Sequence, residues 1–422
     1  MKKGAMEALL LTVAAFYTLI TSCGALHAEA KTPIVYWYFS VTDDQHDFLQ
    51  LVVETFNKVN PTIRIEGQRM SGNMYDKTLT AIAGGAVPDV LHFERSAVIE
   101  WLASKGEVFE PLDAYLAPEL RERDAFLPMA RDEIYYQQQT WALPFGTDIR
   151  GLFWHIDVLE ETGMDSTRGP ESLHELDSWA RKLTEFGPDD QIIRPGFAPW
   201  IYNWNLQGWF WTFGGGVFDY GTRKPTINIP ENLAALKWVQ SYAERFGSAA
   251  VRLSASWPTF ASRQLAMCVG ASPHLLSILK ANPQSLIGAD EVPWPEGGTN
   301  GTWSGGYCHV IPKGSKFVPE AAEFINYLTS TETQVWAYDA VDLLPTTTQA
   351  FREVIRRPRD QAWIRLISQL PVSHGRPPLW LAVHIALNTA QDDLLNFRKT
   401  PEQILQEVQK HMELQFAEIM GW

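Results

Sequence analysis

Residues 34–40 read IVYWYFS, an unbroken apolar run closed by a serine. Seven residues are too few for a buried helix, and the β-branched and aromatic side chains suit a strand covered on both faces. Phe48, Leu49, Val52, Val53 and Phe56 follow at helical spacing until Asn60-Pro61 stops the helix. TIRIEG (62–67) alternates apolar and polar, as a strand does. A helix from Tyr75 to Ala83 ends at Gly84-Gly85, and Pro88-Asp89-Val90-Leu91-His92-Phe93 opens a third strand. Strand, helix, strand, helix, strand at this spacing implies a parallel α/β sheet. Such sheets take ligands beyond the carboxyl ends of their strands.

Further along, Gly151–Trp154 is strand-like and Val158 to Phe186 is rich in helix. A helix over Glu231–Phe246 stops at Gly247, and a strand lies around Leu265–Val269. Gly305-Gly306 opens the strand Tyr307–Ile311, and Pro319–Leu328 is a helix. Thr400-Pro401-Glu402-Gln403 is a capping box with proline at the first helical position.

The chain has 422 residues, 45% hydrophobic and 20% charged, so two or three domains are expected. With a net charge of −14 and no Lys/Arg block, nucleic acid and anionic membrane surfaces are not expected partners. Lys2 and Lys3 precede an apolar stretch from Ala8 to Ile20, the shape of a signal peptide over residues 1–22. It ends in Ile20-Thr21-Ser22-Cys23, which resembles the lipobox of bacterial lipoproteins and marks Cys23 for lipidation. The other reading is plain secretion by cleavage after Ala28 or Ala30. With Cys23 set aside, Cys268 and Cys308 remain, in the strand-like LAMCVG and GYCHVI. A cross-strand disulfide and two buried free thiols both stay open.

The run 199–220, PWIYNWNLQGWFWTFGGGVFDY, packs Trp200, Trp204, Trp209 and Trp211 beside a glycine triplet. A single buried Trp is ordinary core. The whole run reads better as a surface that grips something flat or hydroxylated, because indoles cover the apolar faces of sugar rings. Gly214-Gly215-Gly216 reads as a tight turn admitting a ligand or a neighbour. No P-loop, His-Glu-x-x-His, G-x-S-x-G or Cys-x-x-Cys occurs, and the histidines lack metal spacing. Neither a metal nor a cofactor is expected. A secreted glycosidase is the enzyme alternative, since it too needs an aromatic cleft bearing carboxylates.

The mature chain resembles the extracellular sugar-binding proteins of bacterial ABC importers, the maltose-binding type. The resemblance is carried by Glu54-x-Phe56-x-x-x-Asn60-Pro61-x-Ile63-x-Ile65, by Ala83-Gly84-Gly85-x-x-Pro88-Asp89-Val90 and by Gly106-x-Val-x-x-Pro111-Leu112-Asp113. It continues through Trp141-x-Leu-Pro144, Phe260-x-x-x-x-Leu265-Ala266-Met267-x-x-Gly270, Gly305-Gly306, Ala321-Ala322-x-Phe324-Ile325-x-Tyr327-Leu328 and Leu344-Pro345-Thr346. It implies a two-lobed α/β periplasmic-binding-protein fold (type II), with a ligand cleft between lobes joined by hinge crossovers. Lobe one would hold 33–145 plus about 272–340, and lobe two 146–271 plus about 341–422. The implied function is capture of a carbohydrate by a monomer without catalysis, and delivery to an ABC permease. The protein would be exported, held at the membrane only by its lipid. Members of the same fold that bind glycerol-phosphate-type ligands give the alternative.

Carried over residue by residue, the resemblance points to Tyr38, Ser40 and Asp43 after the first strand, and to Phe93 and Glu94 after the third. It adds Asp148 at the hinge, Trp204 or Trp209 as a stacking ring, Trp303 and Gly305 across the cleft, and Trp380 with Arg376 from lobe two. Glu94 and Arg95 could equally form a surface ion pair. Relatives often place Trp just after Gly270. Here Ala271-Ser272-Pro273 follows, a smaller and more polar wall that suits a smaller ligand or one with a phosphate or other substituent.

Overall fold

A computed structural model describes residues 31–39, 42–188, 190–200, 204–247, 256–359 and 361–421. The signal segment, Cys23 and Ser40 lie outside the described residues. Among the described residues no helix is long and apolar enough to cross a membrane.

The opening stretch folds as read. Strand β1 (Thr32–Tyr38) leads to helix α1 (Asp43–Val59), then β2 (Ile63–Arg69), α2 (Met74–Gly84) and β3 (Val90–Glu94). Thr42 caps α1 by accepting the Gln45 N–H at 3.2 Å, and Asn73 caps α2 by accepting the Tyr75 N–H at 2.9 Å. Gly85, left-handed at φ 65°, ends α2. β1 pairs with both β2 and β3 in parallel.

The sheet is completed by β4 (Leu143–Thr147) and, from far down the chain, a strand over Gly306–Val310, here β8. Its order is β2-β1-β3-β8-β4, with β8 antiparallel to both neighbours, so the sheet is mixed rather than wholly parallel. A second sheet has β5 (Arg150–His155) at its centre, flanked antiparallel by β6 (Met267–Ala271) and β7 (Ile287–Asp290). Each sheet anchors one of two apolar cores, that of the first lobe around Ile34, Val52 and Phe324, that of the second around Phe153, Leu236 and Met267.

β7 corrects the expected lobe boundary. The chain does not return to the first lobe near 272: Ile287 opposes His155 and Asp290 opposes Leu152, so the second lobe keeps the chain until Trp303. The return to the first sheet comes at Gly306. The helix-rich stretch after Val158 is two short helices, Ile156–Glu161 and Leu173–Lys182.

The two cysteines are free and buried. Cys268 lies on β6 and Cys308 on β8, in different sheets, so a cross-strand disulfide does not form.

Candidate functional site

β1, β3 and β4 run in the same direction and end on one edge of the first sheet, at Tyr38, Glu94 and Thr147. That edge faces the second lobe, the position in which open α/β sheets expose backbone and side chains to ligands. Two crossovers lie side by side there. Thr147 Oγ1 donates to the Gly305 carbonyl at 2.7 Å, and the Gly305 N–H donates to Asp148 Oδ1 at 2.6 Å. The Ser304 N–H donates to the His374 carbonyl at 2.9 Å, tying in a third segment.

Three ion pairs sit on this floor. Arg150 donates to Asp148 at the first crossover. Arg95 Nε donates to Glu133 at 2.5 Å, both fully buried. Arg376, from the segment before the long helix Trp380–Leu395, donates across the cleft to Glu94, which also accepts the Tyr75 hydroxyl. The Arg376 backbone N–H donates to Glu133 at 2.5 Å, so that carboxylate serves both arginines.

The site's pKa values follow from burial set against these charges. Burial pushes the Asp148 carboxyl up, but Arg150, Arg376 and the Gly305 N–H outweigh it and hold it below its ordinary value. At Glu133 burial wins over Arg95 and the carboxyl is raised. Burial and then the Glu94 charge raise the Tyr75 phenol.

Aromatic rings close the second-lobe side. Trp303 and Trp380, 0% and 9% exposed and packed on the edge of the second-lobe core, meet with centroids 5.2 Å apart. They differ from Trp204 and Trp209 in lying against the arginines of the floor. The Arg150 guanidinium lies 3.5 Å from the Trp303 ring centre, and that of Arg376 lies 4.8 Å from Trp380. Beside Pro378 and Tyr220 a groove of about 490 Å³ opens between the lobes, walled by Tyr135, Tyr136 and Phe218. The Tyr220 hydroxyl donates to the Arg376 carbonyl at 3.3 Å, which joins groove to floor.

Of the residues expected from sequence, Glu94, Asp148, Trp303, Gly305, Arg376 and Trp380 come together here. Others do not. Tyr38 is buried in the first core, stacked on Tyr36 and hydrogen-bonded to His46 at 3.0 Å. Phe93 is core as well, edge-on to Trp101. Asp43 is 87% exposed and pairs with Arg69 outside the cleft. Trp209 is core: its N–H donates to the Pro199 carbonyl at 2.6 Å. Trp204 packs edge-on to it, 1% exposed. The aromatic run thus mainly fills the second lobe, and the neighbour admitted by its glycine triplet is Asn232, whose Nδ2 donates to the Gly216 carbonyl at 2.7 Å. Arg95 and Glu94 do not pair with each other.

Sequence reasoning missed Arg150, Tyr75 and Glu133. None sits in a motif; each is recognisable only by the partner folding delivers, although Arg150 falls two residues past Asp148 on the strand leaving the crossover.

Residues 41–335 match the family described as bacterial extracellular solute-binding protein, and the chain belongs to that family. It is 23% identical over 207 residues to a maltotriose-binding protein of Pyrococcus abyssi, a match spanning 49% of this chain and 42% of that one. It is 22% identical over 368 residues to the sn-glycerol-3-phosphate-binding periplasmic protein UgpB of Brucella suis biovar 1, spanning 82% and 81% of the two chains. Its fold is similar to the mannotriose-bound structure of CpMnBP1, with a TM-score of 0.75 at 24% identity, over 91% of this chain and all of that one. The architecture is therefore the two-lobed α/β binding-protein fold of this family.

Proposed function

We propose that this protein is the substrate-binding subunit of an ABC importer, which captures a carbohydrate between its lobes and hands it to the membrane permease. The observation that carries this reading is the Trp303–Trp380 pair set against the Arg376–Glu94 bridge across the cleft. Indole faces cover the C–H faces of a pyranose, while guanidinium and carboxylate groups bond its hydroxyls. The maltotriose-binding relative and the mannotriose-bound structure support the same ligand class. Trp303, Trp380, Glu94, Arg376, Asp148 and Gly305 are the ligand-facing set.

The protein binds without chemistry. The family of solute-binding proteins to which the chain belongs supports this reading. Lipidation at Cys23 would hold the exported protein beside its permease, as a monomer.

Melting temperature and tryptophan emission, followed against neutral mono-, di- and trisaccharides, polyols and glycerol phosphates, test this. A bound ligand at a hundredfold its Kd adds roughly 2.7 kcal/mol of stability. A shift with a saccharide recovered intact supports the reading. A cleaved saccharide, or no shift with any compound, overturns it.

A further inference from the structure

The floor of the cleft carries more hydrogen-bond donors than acceptors. Both oxygens of Glu133 are taken, by Arg95 Nε and the Arg376 N–H. Both oxygens of Glu94 are taken too, by Arg376 and the Tyr75 hydroxyl. Asp148 Oδ1 accepts from Arg150 and from the Gly305 N–H. On the donor side, Arg95 Nη1 and Nη2, Arg150 Nε and Nη2, Arg376 Nε and the Trp303 indole N–H are buried and meet no acceptor among the described residues. Arg95 and Arg150 are 0% and 1% exposed.

These donors gather around one piece of backbone. A Cβ on Gly305 would come within 2.5 Å of Arg376 Nη2, and one on Gly306 within 3.0 Å of Arg95 Nη1. Arg150 reaches the same place through Asp148, which holds the Gly305 N–H. A neutral sugar answers such a floor poorly. Each hydroxyl that accepts from a guanidinium also brings a donor, and of the six carboxylate oxygens of Glu94, Glu133 and Asp148 five already accept a hydrogen bond, which leaves Asp148 Oδ2 alone to take it. A carboxylate or phosphate only accepts, and a planar guanidinium fork matches either.

We propose that the saccharide captured here carries an anionic group, a uronate carboxylate or a phosphate, seated on Arg376, Arg95 and Arg150 over Gly305-Gly306. This rests on the carbohydrate-binding reading and names the substrate class within it.

The test is calorimetric titration of the exported protein with matched ligands: neutral disaccharides, the same disaccharides oxidised to uronates, their phosphate monoesters, and glucuronate and inorganic phosphate alone. The acidic member of a matched pair is expected to bind about ten- to a hundredfold more tightly. Its affinity should fall as salt rises from 0.05 to 0.5 M, while that of the neutral partner stays level. The uronate and phosphate arms separate the two sources of the charge. Arg376→Gln should erase the preference for the acidic partner, and Arg376→Lys, which keeps the charge without the fork, should restore part of it. A neutral disaccharide bound as tightly as its acidic partner overturns the proposal and leaves the carbohydrate reading standing. Inorganic phosphate bound as tightly as any sugar phosphate overturns the saccharide half. Binding of nothing in the set overturns both.

Discussion

Arg376 and Glu94, 282 residues apart in sequence, form an ion pair that spans the cleft from the second lobe to the first. Their side chains are only 14% and 23% exposed, so the pair is sheltered from the screening that makes surface pairs weak. On its first-lobe side Tyr75 holds Glu94; on its second-lobe side Trp380 lies under Arg376. In the proposed binding mode the pair would couple closure of the lobes to the groups that face the ligand.

Glu94→Gln should loosen closure, because the charge-assisted bond lost is worth about 1.5–3 kcal/mol. Small-angle scattering of the ligand-free protein should show a larger radius of gyration than wild type, and ligand affinity should drop at least about tenfold. An unchanged radius would mean that the pair does not hold the lobes together.

Trp380→Ala and Trp209→Phe should separate binding from folding. Trp380 touches Trp303, His384 and Arg376 at the cleft, and its truncation should weaken ligand by about 2 kcal/mol, roughly thirtyfold. Trp209 is fully buried with its N–H paired to Pro199, so its replacement should lower the melting temperature and leave affinity within a factor of about two. Titration calorimetry beside thermal melts reads both.

Gly305→Ala and Gly306→Ala should also part. A Cβ on Gly306 would stand 2.4 Å from the Gly146 carbonyl oxygen, a backbone atom held in the sheet, and should cost about 1–3 kcal/mol of stability. A Cβ on Gly305 meets Arg376 Nη2, the movable end of a side chain, so the loss should appear mainly in ligand affinity. Chemical denaturation with calorimetry distinguishes them.

Acid should destabilise the first lobe through its buried histidines. Burial lowers His92 to about 4 and, with the neighbouring His92 charge, lowers His309 as well. The unfolded chain takes up these protons near pH 6.5 and the folded chain does not. Stability is therefore complete above about 6.5 and falls as pH drops toward 4, by on the order of 3 kcal/mol from His92 alone. Melting temperature against pH should show this fall, and His92→Phe should flatten it.

Reductant should leave the fold unchanged. Cys268 and Cys308 sit on different sheets, and burial raises both thiols above their ordinary values. A thiol reagent should find both silent in the native chain lacking residues 1–23 and both reactive once it is denatured. Only one or none reacting after denaturation would contradict the free thiols.

The sequence by itself determined the alternation of strand and helix through Glu94 and the caps and stops that punctuate it. It also placed Glu94, Asp148, Trp303, Gly305, Arg376 and Trp380 as candidates. Apolar period and capping chemistry act over a few residues, so Thr400 accepting the Gln403 N–H is written in four neighbouring letters. Tertiary structure alone decided that Trp209 is core while Trp380 stands at the cleft, that Arg95 pairs with Glu133 rather than with Glu94, and that β7 stays in the second lobe. Those outcomes depend on partners tens to hundreds of residues away. A side chain's burial and charge partner are set by which distant surfaces pack together, and no local period records that.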